Sequence, residues 1–328
     1  MKALILGAGA AVHALVWKTV ASGQVQEIYC APGNAGTALL SGTVPLAPER
    51  QAEVVQWAFS RQVDLVVVQG LPAWTEALRG VGLPVVGVGE QDVATLASHE
   101  SRRERLRKYG VPLLESRSFH QREEAERYLA SRPLPVWLRS DRAPLWEAVR
   151  VETRHEAFEQ LARLMSLAPG AAVSIEAEPE GPEVILALLS DGKETIPFGL
   201  SRPYDRRSDG EAGPMTEGMG AYAPFGDRAL EEHLMDKVAR PLLAGLSSEG
   251  LLPPAFLHLR IALDERPALR ELSWGLDDLH AVVTLPRWEG NLAALLQAAA
   301  QGEVEAVPAS WQPGATVAVA MVAQGYPA

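Results

Sequence analysis

The chain has 328 residues, of which 47% are hydrophobic and 22% charged, and its 30 basic against 41 acidic residues give a net charge of −11. Such a composition is typical of a globular protein of two or three domains, and its acidic balance argues against nucleic acid as a partner. One cysteine, Cys30, cannot form an internal disulfide. The first apolar run is too short for a signal peptide or a membrane span, so we expect a cytoplasmic protein with no membrane partner.

The N-terminal part alternates short apolar runs with stretches of helical spacing, which predicts a parallel sheet with covering helices. Strands are expected near 3–6, 28–30, 65–68 and 84–88, with helices near 12–20 and 53–61. The first strand leads directly into Gly7-Ala8-Gly9-Ala10. Doubly wound folds bind phosphate at such a turn, but glycines are also needed there to pack a helix against a strand, so both interpretations stay open.

A highly charged helix is expected at 93–109, and its charge is typical of a solvated face. Gly110-Val111-Pro112 ends it and opens a region of mixed α and β pattern, with strands near 136–139, 172–175 and 184–189 around a helix at 155–165. The glycine-rich stretch 209–220 is expected to be a long irregular loop with a functional role. The remaining elements are predicted in this order: a helix at 229–246, strands at 255–263 and 268–272, a helix at 291–301 and a strand at 316–322.

Three stretches, in this order and spacing, resemble glycinamide ribonucleotide synthetase: residues 6–18 (LGAGAAVHALVWK), 31–37 (APGNAGT) and 213–222 (GPMTEGMGAY). The resemblance implies an α/β fold with a parallel-sheet N-terminal (pre-ATP-grasp) domain over 1–95, then an ATP-grasp-like α+β domain over 96–328. A lid subdomain is expected as an insertion at about 112–195, and the C-terminal domain of the family is expected to be absent.

Members of this family use ATP to activate glycine as an acyl phosphate, which the amine of 5-phosphoribosylamine then attacks. The resemblance therefore implies ATP and Mg²⁺ as cofactors and these purine precursors as ligands, because transferred phosphoryl charge is stabilised by cations and hard oxygen ligands. It assigns Arg206 and Glu211 to catalysis, and Glu271 and Ser273 to the metal. ATP contacts fall on Arg139, Glu176 and Glu183, and substrate contacts on Gly7, Gly9, His13, Pro32, Gly33, Asn34, Gly213, Pro214, Gly218 and Met219.

Several positions depart from the family pattern. Glu100 stands where the first ATP-contacting lysine is expected, and Asp205 inverts one charge of a basic pair, leaving Arg206. The metal pair of glutamate and asparagine reads Glu271 and Ser273. Each charge lost beside a polyphosphate forfeits on the order of 1–3 kcal/mol. The other departures are Ala11-Val12 for Arg-Glu, Gln69-Gly70-Leu71-Pro72 for an acidic loop, Gly275 and His280 for arginine and glutamate, and Arg142, Pro144, Trp146 and Glu147 for the lid glycines and second lysine.

Two functions remain open from the sequence. The first is an active phosphoribosylamine–glycine ligase, and the second is a catalytically silent paralogue that binds a purine-pathway metabolite or a partner protein. The retained stretches 32–34 and 213–222 are equally well explained as a ligand pocket or as turns that determine the fold. Partly exposed tryptophans would favour apolar contact surfaces over a charged nucleotide cleft. Four of the eight are foreign to the family pattern, namely Trp137, Trp146, Trp274 and Trp288.

Overall fold

The computed structural model describes residues 1–43, 50–141, 143, 147–167, 170–308 and 310–326. The chain begins with a parallel sheet of five strands in the order β3-β2-β1-β4-β5. Its central strands are continuous apolar runs because helices cover both faces. The strands are β1 (Lys2–Gly7), β2 (Glu27–Pro32), β3 (Gly42–Thr43), β4 (Leu65–Val68) and β5 (Val85–Val86).

Three helices cover this sheet: α1 (Ala10–Ala21), α2 (Gln51–Ser60) and α3 (Pro72–Gly80). Cys30 is buried and unpaired in β2, in a core that also contains Ile5, Leu15 and Val67. Burial raises the pKa of the Cys30 thiol, which favours the protonated, unreactive form.

The charged helix expected at 93–109 is two helices, α4 (Glu90–Thr95) and α5 (His99–Lys108). The helix is interrupted at Ser98, which has an extended backbone. Ser98 forms the N-cap of α5, because its hydroxyl accepts a hydrogen bond from the Ser101 amide. Charge pattern alone could not locate this break, since it depends on a single serine within an otherwise helical sequence.

A four-stranded sheet in the order β6-β9-β7-β8 follows, with helices α6 and α7 packed on it. The next strand, β10, pairs with β11 and β13 in a different sheet, so the small sheet ends at Ala177 rather than near 195. Its elements are β6 (Ser116–Phe119), α6 (Arg122–Ser131), β7 (Val136–Ser140), β8 (Val149–Val151), α7 (Arg154–Leu167) and β9 (Val173–Ala177).

The largest sheet has six antiparallel strands in the order β14-β13-β10-β11-β12-β15. The expected loop at 209–220 is wrong, because most of it forms β12 in a hairpin with β11. Glycine serves close packing there, since a Cβ on Gly220 would lie 2.9 Å from the Ala318 carbonyl oxygen. The strands are β10 (Glu183–Asp191), β11 (Thr195–Ser208), β12 (Ala212–Ala223), β13 (Pro254–Ala262), β14 (Ala268–Trp274) and β15 (Thr316–Val319).

The helix expected at 229–246 consists of α8 (Arg228–Leu234) and α9 (Arg240–Ser248), joined by a π-helical turn over Met235–Ala239. Pro241 has no amide hydrogen to continue the regular α-helical pattern, which accounts for the wider turn before it. Leu234, Leu242 and Leu246 pack on one face of the six-stranded sheet.

Two further helices, α10 (Asp278–Thr284) and α11 (Leu292–Gln301), join the N-terminal sheet to the larger one through a shared core. No helix in the described ranges is long and apolar enough to span a membrane. The predicted fold, a parallel N-terminal sheet followed by a mixed α and β domain, is confirmed.

Candidate functional site

The glycines of the first motif meet the 32–34 loop at the carboxyl ends of β1 and β2. The Gly33 amide donates to the Gly7 carbonyl at 3.0 Å, and the Asn34 side-chain amide donates to the Ala8 carbonyl at 2.9 Å. Gly33 has a φ of +71°, which favours glycine. The structure therefore brings together Gly7, Gly9, Pro32, Gly33 and Asn34.

The amino end of α1, where the sequence left a phosphate site and a packing role open, holds a carboxylate of the chain itself. Asp278 accepts hydrogen bonds from the amides of Ala10 at 3.0 Å and Ala11 at 2.8 Å. A Cβ on Gly9 would lie 2.7 Å from the same carboxylate, so the glycine makes room for Asp278. A side-chain anion thus takes the amides and the helix dipole that would otherwise hold a ligand phosphate.

The polar side chains of this loop serve its own structure. The Asn34 carbonyl Oδ1 accepts from the Thr37 amide at 2.9 Å, and the Thr37 hydroxyl accepts from the Asn34 amide at 2.8 Å. The His13 ring lies against Gly36, where a Cβ would come within 2.6 Å of it. These contacts favour a fold-determining role for Asn34 and His13.

The expected metal ligand Glu271 lies in an ion-pair network between the small and large sheets. One carboxylate oxygen accepts from Arg102 at 2.6 Å and the other from Arg139 at 2.5 Å. The Arg139 side chain is only 1% exposed. Both oxygens of Glu271 are therefore engaged by guanidinium groups.

The expected ATP contact Glu176 is 1% exposed and lies beside Arg270 at 3.3 Å, His99 at 3.2 Å and Arg139 at 3.9 Å. Burial alone would raise the pKa of Glu176, but Arg139, His99 and Arg270 outweigh it and hold that pKa well below its usual range. Burial lowers the pKa of His99, because it disfavours the charged imidazolium.

Glu183 completes the network. It accepts from Arg270 at 2.9 Å and lies 3.6 Å from Arg260, which also pairs with Asp205. The inverted charge at Asp205 thus has a partner within the fold. Four arginines face four carboxylates, so the network is neutral: Arg102, Arg139, Arg260 and Arg270 against Glu176, Glu183, Asp205 and Glu271.

The donor set does not fit Mg²⁺. The pKa of Glu271 is lowered despite burial because Arg139 and Arg102 stabilise its charge, and Ser273 hydrogen-bonds the ring of His258 at 3.0 Å. Mg²⁺ prefers hard oxygen ligands, and both oxygens of Glu271 are already paired with guanidinium groups. Within the part of the chain that the structure describes, no group of three or more histidine, cysteine or acidic side chains is placed to hold a metal.

A cavity of about 610 Å³ lies between the small sheet and the hairpin of β11 and β12. Trp137, only 4% exposed, lines it and lies against the guanidinium groups of Arg206 at 4.8 Å and Arg270 at 4.5 Å from its ring centre. Arg206 donates to the Gly213 carbonyl at 2.7 Å. Glu211 pairs with Arg202 at 2.6 Å, so the two expected catalytic residues lie in one hairpin but are bound to different partners.

The other predicted residues of the hairpin divide between its two ends. Gly213 and Pro214 are exposed, whereas Gly218 is buried against Leu279, where a Cβ would meet the leucine side chain at 2.3 Å. The Met219 carbonyl accepts from the Ala320 amide at 2.8 Å. The lid positions Arg142, Pro144 and Trp146 lie outside the described residues.

Sequence reasoning missed five members of this site: His99, Arg102, Asp278, Arg260 and Arg270. A signal existed for Arg260, because it alternates with apolar residues in 257–261 (LHLRI), a pattern that places one charge on an otherwise buried strand. Arg102 gave no such signal, since it stands among many surface charges of α5.

The chain matches two family profiles. "Phosphoribosylglycinamide synthetase, N domain" matches residues 1–94, and "Phosphoribosylglycinamide synthetase, ATP-grasp (A) domain" matches residues 97–271. The chain is 31% identical to the phosphoribosylamine–glycine ligase of Allochromatium vinosum, with 100% of this chain and 80% of that protein aligned. It is 30% identical to the ligase of Rhizobium meliloti with the same coverage, 100% and 80%.

Solved structures share the fold. Phosphoribosylamine–glycine ligase from Thermotoga maritima superposes with a TM-score of 0.82 at 22% identity, covering 100% of this chain and 82% of that one. The biotin carboxylase domain of Hydrogenobacter thermophilus 2-oxoglutarate carboxylase, solved with Mg-ADP and bicarbonate, gives a TM-score of 0.69 at 13% identity, covering 96% and 73%.

Proposed function

Because this chain belongs to the phosphoribosylglycinamide synthetase family, we propose that it descends from an ATP-dependent ligase of glycine and 5-phosphoribosylamine and has exchanged ligation for binding. In this proposal the chain is a catalytically silent paralogue that binds a metabolite or a partner protein. The observation that supports it is the neutral network of four arginines and four carboxylates, which includes positions that the resemblance assigns to ATP and the metal.

Freeing Glu271 for a metal would leave Arg102 and Arg139 without their closest carboxylate. Breaking a buried ion pair by removing one partner costs about 3–5 kcal/mol, and Mg²⁺ binding would have to offset this loss. An ATP-dependent ligase needs the opposite arrangement, with cations free for phosphate and carboxylates free for metal.

Triphosphate would find little free positive charge in the 610 Å³ cavity. Among the described residues that line it, only Arg206 is an arginine without an acidic partner within 4 Å. Burial, then the nearby Arg150, lowers the pKa of Arg206, because both disfavour its positive charge. The indole of Trp137 also occupies the wall between Arg206 and Arg270.

The second candidate is an active phosphoribosylamine–glycine ligase. Arg139 keeps a positive charge at a lysine position of the family, and Arg206 is free of acidic partners among the described residues. The stretches 32–34 and 213–222 also resemble the family sequence. This reading requires ATP and Mg²⁺ to rearrange the network on binding.

Thermal unfolding with and without Mg-ATP separates the two candidates. A ligand at one hundred times its dissociation constant adds about 2.7 kcal/mol to the free energy of unfolding. We expect no shift for this chain at millimolar Mg-ATP, and a clear shift for the Thermotoga maritima ligase as a control. A comparable shift here, accompanied by formation of glycinamide ribonucleotide, would establish the ligase instead.

A further inference from the structure

A second cavity, of about 340 Å³, lies between the N-terminal sheet and the edge strand β14. Val68 and Val86, the last residues of β4 and β5, form part of its wall, and Trp274 of β14 forms another part. Open α/β sheets bind ligands in the crevice outside the carboxyl ends of their strands. The volume falls at the lower end of the range for small-molecule sites.

The lining is mainly apolar and includes a fixed aromatic ring. Val93, Leu96 and Phe256 contribute aliphatic and aromatic surface. Trp274 is half-buried, and its indole nitrogen donates to the Asp92 carbonyl at 3.3 Å, which holds the ring in place. A flat apolar molecule would bury its surface against these side chains.

The described side chains that line the cavity carry no net charge. Arg102 and Glu271 are the only ionisable side chains among the described residues that line it, and they pair at 2.6 Å. A charged ligand would lose its hydration without gaining a free counter-charge. This electrostatic environment favours an uncharged molecule.

One hydrogen-bond donor remains available for such a molecule. The Gln69 side-chain oxygen accepts from the Leu276 amide at 3.2 Å, which fixes the orientation of the amide group. No acceptor in the described part of the chain binds the Gln69 amide nitrogen. The other uncharged polar side chain among the described residues of the wall, Ser273, hydrogen-bonds to the ring of His258.

We propose that this cavity binds a small uncharged molecule with a flat apolar body and one carbonyl-type acceptor, which receives the Gln69 amide. This inference rests on the binding role proposed above and gives that role a ligand class. It differs from the charged substrates of the family's ligases, because the basic and acidic positions that the family places here read Gly275 and Gln69-Gly70-Leu71-Pro72.

Three probes of nearly equal shape test the charge requirement: benzamide, which is uncharged, benzoate and benzylamine. Saturation-transfer NMR with the full chain gives their dissociation constants. We expect benzamide to bind at least tenfold more tightly than either charged probe. Binding of benzamide should weaken at least tenfold in Trp274→Ala and in Gln69→Ala, and stay unchanged in Trp17→Ala, a half-exposed tryptophan remote from the cavity lining.

Ala97→Phe provides a second variant that leaves the core intact, because Ala97 is exposed yet lines the cavity. The added ring should fill the cavity and abolish benzamide binding without lowering the melting temperature. The proposal is overturned if benzamide does not bind, if a charged probe binds equally well, or if binding survives Ala97→Phe. Mg-ATP titration of the same samples tests the loss of ligation separately, so either proposal can fail alone.

Discussion

At the residue scale, Glu271 holds two arginines from different elements, and its removal should destabilise the fold. We expect Glu271→Ala to lower the free energy of unfolding by about 3 kcal/mol, because Arg102 and Arg139 would stay largely buried with a partner lost. Urea denaturation measures this change. The control Glu249→Ala, which removes an exposed pair with Arg105, should cost less than about 1 kcal/mol.

An undiminished stability in Glu271→Ala would contradict the network's structural role. An increase of Mg-ATP affinity in the same variant would agree with that role, because Arg102 and Arg139 would then be free to bind phosphate.

The buried histidine His280 predicts a dependence of stability on pH. Burial, then the neighbouring His258, lowers the pKa of His280 to about 4, and its ring nitrogens contact Ser201 and the Phe198 carbonyl. The unfolded chain takes up this proton near pH 6.5 and the folded chain only near pH 4. Stability should therefore be full above pH 6.5 and fall by about 3 kcal/mol as the pH drops to 4.

Urea denaturation at several pH values tests this linkage. His280→Gln should reduce the slope between pH 6.5 and 4, even though the variant is less stable overall. His99 and His258, whose pKa values burial also lowers, should account for the slope that remains. The carboxylates of the network, whose pKa values are lowered, should cause a separate loss below about pH 4.5. An unchanged slope in His280→Gln would exclude this histidine as the source.

At the scale of elements, α1 depends on a cap from α10, which lies 268 residues away in sequence from Ala10. We expect Asp278→Ala to lower the free energy of unfolding by about 1 kcal/mol, as for loss of an ordinary N-cap. It should also expose the amides of Ala10 and Ala11 to an external anion. Inorganic phosphate should then raise the melting temperature of Asp278→Ala more than that of the unaltered chain.

Asp227→Ala is the matched control, because Asp227 is the N-cap residue of α8 itself and accepts a hydrogen bond from the Leu230 amide. This variant should lose similar stability without gaining a response to phosphate. Equal responses of the two variants would show that the α1 terminus has no special affinity for anions.

Hydrophobic periodicity predicts most of the helices and strands. It fails where a single residue or a contact distant in sequence determines the local structure. Runs such as Leu65–Val68 predict buried strands because both faces of a parallel sheet are covered. Ser98 and Pro241 each divide one expected helix into two segments. The glycines of 209–220 favour a loop, but most of the stretch forms a strand because it pairs with β11.

At the scale of the whole molecule, the network ties the small sheet to the large one. Arg139 of β7 holds Glu271 of β14, and Arg270 of β14 holds Glu176 of β9. The resemblance implies a lost lysine at Glu100 and an inverted charge at Asp205, but the sequence could not predict these pairings. Arg139 and Glu271 are 132 residues apart, so their contact follows only from the folded arrangement of two sheets.

The formation of glycinamide ribonucleotide from 5-phosphoribosylamine, glycine and Mg-ATP by the purified chain distinguishes a silent paralogue from a working ligase. We expect no product above the uncatalysed background, because the cations and carboxylates of the site neutralise one another. Turnover at an ordinary enzymatic rate, on the order of 1 per second or faster, would contradict it.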